Sequence, residues 1–81
     1  MPKVQRSQLP PALLAHLLDR IQSRHILPGD LQSLASWLDT NPTVPNGDWF
    51  KRFQSMTICG NGSLIKTFLT PGQTAIGKEV Q

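Results

Sequence analysis

Cysteine is almost missing from this 81-residue chain, where Cys59 stands alone. No disulfide can close within the chain, and the cytoplasm is the expected compartment. Charge is scarce as well. Charged residues make up 16% of the sequence, against about 25% in ordinary soluble proteins, and neutral surface favours burial against something else. Long apolar runs are missing too: "LLAHLL" at 13–18 falls far short of the roughly 20 residues that a membrane-crossing helix needs. The opening "MPKVQRSQLPP" lacks the apolar stretch of a secretory signal. A soluble cytoplasmic protein with no membrane insertion is expected.

Groups that do chemistry are equally sparse. His16 and His25 are the only histidines, and their distance from Cys59 matches no zinc-ligand spacing. No metal and no cofactor is expected. "GNGSLIKT", residues 60–67, resembles a phosphate-binding loop only superficially, because that motif needs glycine directly before lysine and a helix after it. Asp39 and Asp48 flank a loop, and neither has the apolar surroundings that would raise a carboxyl pKa. Cys59 reads as a half-buried small side chain beside a turn. No catalytic residue emerges, so the expected protein is not an enzyme.

What the chain does contain is organised locally. Pro10 and Pro11 suit the first turn of a helix. Leu13, Leu14, Leu17, Leu18 and Ile21 then form one apolar stripe at helical spacing, which should end near Ile26 or Leu27, ahead of Pro28 and Gly29. Asp30 is placed to cap a second helix whose buried face is Leu31, Leu34, Ala35 and Leu38, with Trp37 at its edge. "DTNPTVPNGD" reads as a loop.

In "NGDWFKRFQSM", residues 46–56, a strand would divide the aromatics. A helix capped by Asp48 gathers Trp49, Phe50, Phe53 and Met56 on one face and turns Lys51 and Arg52 to water. The helical reading sorts the residues more cleanly. Further on, Asn61-Gly62 predicts a two-residue hairpin turn pairing Cys59 with Leu64, Ile58 with Ile65 and Thr57 with Lys66. "TAIGKEV" can return as a short edge strand.

The expected architecture is α+β: a flexible arm over residues 1–8, then one domain over 9–81. That domain holds a helical hairpin, a short aromatic helix, and a two- or three-stranded antiparallel sheet packed on the helices. At this length one apolar core barely outweighs chain entropy, so association with a partner or a second copy is in keeping with its size.

Net charge is +3 and the sequence pI about 9.6, which permits an acidic partner without requiring one. A helix-turn-helix is disfavoured, because the second helix "DLQSLASWLDT" carries two aspartates and no lysine or arginine. A non-enzymatic accessory or regulatory module that binds another protein, or itself, remains, with Trp37, Lys66 and Phe68 as candidate contact residues. The alternative is nucleic-acid binding through the basic C-terminal half, using Lys51, Arg52, Lys66 and Lys78, with Phe68 on the face of Lys66.

"GDWFKRF", "ICGNG" and "KTFLTPGQTAIGKEV" resemble segments of a family of small conserved cyanobacterial proteins. The likeness covers roughly residues 9–80. It implies a cytoplasmic or stromal-side accessory protein, and carries over no site residues.

Overall fold

The two prolines and the leucine stripe that follows them do open a helix. A computed structural model of the chain describes residues 2–4 and 9–80. Its elements are α1 (Pro11–Gln22), α2 (Pro28–Asp39), β1 (Asp48–Arg52), β2 (Thr57–Asn61), β3 (Leu64–Leu69) and β4 (Lys78–Glu79). This is an α+β fold with a four-stranded mixed sheet of order β3-β2-β1-β4.

Each helix stops in the same physical way. After α1, Arg24 takes a left-handed φ of 66°, and after α2, Asn41 takes 51°. That geometry lets the next N–H groups turn back onto the last carbonyls. His25 and Ile26 donate to the Arg20 carbonyl at 2.9 and 3.3 Å, and Asn41 donates to that of Leu38 at 3.0 Å. The first helix therefore ends at Gln22, a turn earlier than its apolar pattern suggested.

The second helix starts at Pro28, not after Asp30, because proline fits a first helical position. Asp30 is thus inside the first turn and does not cap it. Its carboxylate is buried, with 4% exposure, and reaches across to the β1–β2 turn. There the Ser55 backbone N–H and hydroxyl donate to its Oδ2 at 2.5 and 2.6 Å.

The aromatic stretch is strand, not helix. β1 lies between β2, antiparallel, and β4, parallel, and pairs Trp49 with Gly60 and Phe50 with Cys59. Successive side chains of a strand point to opposite faces. Trp49 turns to the helices, is fully buried, and meets Trp37 edge-on at 5.8 Å. Its indole N–H donates to the Gly62 carbonyl at 2.8 Å. Phe50 lies on the far face at 8% exposure, under the Arg52 guanidinium at 5.6 Å. The rings are inward, as expected, but through two faces of a sheet. The cations do not share a separate wet face: the Lys51 ammonium lies 5.4 Å from the Trp37 ring and 5.6 Å from Phe53. Asp48 caps nothing here and accepts from the Asn61 amide at 2.9 Å.

The β2–β3 hairpin also differs from its expected register. Asn61 pairs with Leu64, so the turn is Gly62-Ser63, one residue later than Asn61-Gly62 predicts. Gly60 then pairs with Ile65 but Cys59 with Thr67, which leaves Lys66 as the extra residue of a bulge. The bulge resets the alternation beyond it. Phe68 consequently pairs with Ile58 and enters the core, so it does not share a face with Lys66. The segment "TAIGKEV" contributes only β4, and contributes it parallel to β1, so the sheet is not wholly antiparallel.

The core joins both helices to one sheet face: Leu13, Leu17, Ile26, Leu34, Leu38, Trp49, Met56, Ile58, Ile65 and Phe68 belong to one buried cluster. Val4 and Val44 complete it, both fully buried. Val4 donates to the Pro42 carbonyl and Val44 to that of Pro2, at 3.1 and 2.8 Å, around a Lys3–Thr43 bridge. Residues 2–4 of the expected arm are thus part of the fold, while residues 1 and 5–8 of it lie outside the described residues. No helix among the described residues is long and apolar enough to cross a membrane.

Candidate functional site

Helix α1 carries more leucine than its core contact can cover. Leu13 and Leu17 are buried, whereas Leu14 and Leu18, each one position further round the wheel, stand 36% and 44% exposed. Leu14 and Leu18 are one turn apart and so share a face. Beside them runs a groove of about 200 Å³, lined by Leu9, Leu14, Leu31, Leu34, Ala35 and Leu38. No charged or hydrogen-bonding side chain lines it. Water gains nothing there, and removing such surface from water contributes roughly 25 cal/mol per Å². The exposed leucine edge and the groove beside it form the apolar feature of the helical layer.

The residues singled out from sequence do not converge. Trp37 is half-buried against Trp49 on the helical side of the sheet. Lys66 is exposed on the opposite face, where it lines a cavity of about 210 Å³ with Cys59, Thr67, Leu69, Thr74 and Ile76. Phe68 is in the core, its ring 4.9 Å from that of His16. Trp37, Lys66 and Phe68 therefore make no joint contact surface.

Nor do the four basic candidates form one strip. Lys51 belongs to the helix-facing side of β1, whereas Arg52 belongs to the other side and lies 4.0 Å from the Glu79 carboxylate. Lys66 and Lys78 sit on β3 and β4, the two opposite edges of the sheet. Stacking platforms require exposed rings. Trp49, Phe50 and Phe68 are buried, and Phe53 is half-buried against the core.

Cys59 is half-buried on the far face. Burial pushes its thiol pKa up, and the nearby Lys66 ammonium only partly offsets this. A raised pKa leaves little thiolate at neutral pH, the opposite of what an activated nucleophile needs. Among the described residues no three His, Cys, Asp or Glu side chains gather as a metal-holding group.

The leucine groove was missed in the sequence, yet a signal for it existed. Five leucine or isoleucine residues within the nine positions 13–21 describe a stripe wider than one core contact absorbs. Compared with family models, with curated proteins and with solved structures, the chain matches none.

Proposed function

We propose that this chain is a non-enzymatic, cytoplasmic accessory module that binds another protein by taking an apolar helix of that partner into the groove between α1 and α2. The observation that supports the reading is the uncharged lining of the groove, with Leu14 standing exposed at its rim and Leu18 exposed one turn further along α1. Grooves between helices recognise amphipathic helices by apolar anchors at i, i+3, i+4 and i+7, and contiguous apolar surface of this kind marks interaction sites. The sparse charge of the whole chain is in keeping with this.

The test compares the wild-type protein with Leu14→Glu, a substitution at a partly exposed rim position that leaves Leu13 and Leu17 in place. Affinity capture from native extract should recover a stoichiometric protein with the wild type and lose it with the variant. Recovery of the same protein by both would remove the groove from the interaction, and repeated recovery of none would sink the reading. A shift in sedimentation coefficient abolished by Leu14→Glu would make a second copy the occupant. Steep salt-dependent retention on nucleic acid, unaffected by Leu14→Glu, would favour the basic candidates instead.

A further inference from the structure

Another cavity, of about 240 Å³, adjoins α1 through His16 and Arg20, and its chemistry is one-sided. It is lined by His16, Arg20, His25, Phe68, Thr70 and Gln73, with no carboxylate among these described residues. We propose that this cavity binds a small tetrahedral oxyanion of the phosphate class, held chiefly by the Arg20 guanidinium.

The hydrogen bonds around the cavity leave donors available to it. Arg20 is half-buried and uses its Nε to donate to His16 Nε2 at 3.4 Å. Its terminal N–H groups have no partner among the described residues, and a guanidinium fork suits two oxygens of a phosphate. The Ser23 hydroxyl donates to the Arg20 carbonyl at 3.2 Å while lying 2.9 Å from His25 Nδ1. The opposite wall is fixed by a turn. Thr70-Pro71-Gly72-Gln73 has proline and a glycine at φ 97° in its two central positions, closed by a Gln73 N–H to Thr70 carbonyl bond of 3.3 Å. The Gln73 side-chain carbonyl accepts from the Thr70 N–H and hydroxyl at 2.8 and 3.2 Å. What Gln73 has left to offer is its NH₂, another donor.

The cavity adjoins the C-terminal end of α1, whose free carbonyls would repel an anion. Three of the last four carbonyls are occupied: Asp19 accepts from the Ser23 N–H, Ile21 from the Arg24 N–H, and Arg20 from His25, Ile26 and Ser23. The Arg20 guanidinium and the Gln73 amide thus offer donors to a recess that also borders the Phe68 ring.

Isothermal titration with inorganic phosphate, with sulfate, and with glycerol phosphate as a small phosphomonoester tests this at low ionic strength. Saturable one-to-one binding is expected, weakened at least about tenfold by Arg20→Gln, since losing a charge-assisted bond is worth at least that factor. Lys66→Gln, on the far sheet face, should leave the affinity unchanged. Tighter binding of glycerol phosphate than of phosphate would make the ligand a phosphomonoester, and the reverse order free phosphate. If Arg20→Gln proves unfolded by circular dichroism, the exposed Gln73→Glu serves in its place: it keeps the acceptor for Thr70, sets a negative charge at the cavity wall, and should weaken binding likewise. Absence of saturable binding, or equal loss in Arg20→Gln and Lys66→Gln, overturns the proposal.

Discussion

Replacing Asp30 by alanine should cost this protein about 3 kcal/mol, although the residue contributes no apolar contact. Its carboxylate is the only buried charged group among the described residues, and it ties the first turn of α2 to the β1–β2 turn through the Ser55 N–H and hydroxyl. A hydrogen bond to a charged group is worth roughly 1.5–3 kcal/mol. The low end applies to each bond here, because both converge on one oxygen and Ser55 is half-exposed. Two such bonds give the total. For a domain of this size 1 kcal/mol corresponds to roughly 4–8 °C in Tm, so Asp30→Ala should melt about 12–24 °C below the wild type. Ser55→Ala removes one of the two bonds and releases the exposed Leu27 N–H, which donates to that hydroxyl at 2.9 Å, to water. It should cost about half as much. The discriminating measurement is the double variant by urea denaturation. If the carboxylate is the hub, Ser55→Ala should add almost nothing in the Asp30→Ala background, a coupling of about 1 kcal/mol or more. Additive effects, or a loss below about 1 kcal/mol for Asp30→Ala alone, would refute the reasoning.

Three further outcomes are expected. Gly60→Ala would set a Cβ against the Trp49 indole and within 2.7 Å of the Leu64 carbonyl; neither neighbour can yield easily, so urea melts should show a loss of about 3 kcal/mol or more. Arg24→Gly should raise stability by about 0.5–1 kcal/mol in the same assay, because glycine adopts the left-handed geometry that ends α1 without steric cost. Alkylation of Cys59 by iodoacetamide at neutral pH should be slower in the folded than in the urea-unfolded protein, and slower again in Lys66→Gln. Burial raises the thiol pKa and the lysine opposes the rise, so removing the lysine lowers the thiolate fraction.

The helices were legible because each buries one stripe: Leu13 and Leu17 of α1, Leu34 and Leu38 of α2, all at helical spacing and all in the core. β1 was not, and its place in the sheet explains why. A strand with one wet face alternates apolar and polar residues, whereas β1 buries Trp49 on its helix-facing side and Phe50 on the other. Two adjacent buried aromatics mimic half a helical turn, and only the tertiary setting removes the ambiguity. The Lys66 bulge leaves no local mark either. "SLIKTFL" alternates plausibly in both registers, and the choice is made by Phe68 finding Ile58 and His16. Asp30 looked like a cap because aspartate before an apolar run usually is one; its partner Ser55 is twenty-five residues away in sequence. The leucine groove needs α1 set against α2, and the Arg20 cavity joins α1 to the distant Thr70–Gln73 turn, so each is a product of packing that no single stretch of sequence displays.

The irregularity at Lys66 matters to more than register. β3 is one of the two edge strands of the sheet and the longest of the four, six residues rich in leucine, isoleucine and phenylalanine. Its outer row of amides and carbonyls would otherwise be a flat template for fibril growth, copy stacking on copy. The inserted residue interrupts the regular spacing of that row, and its side chain sets a positive charge on the face of the edge strand. A chain lacking Lys66 would present an unbroken "SLITFL" ribbon, and the colloidal fate of the protein would then depend on concentration as much as on the strength of its fold.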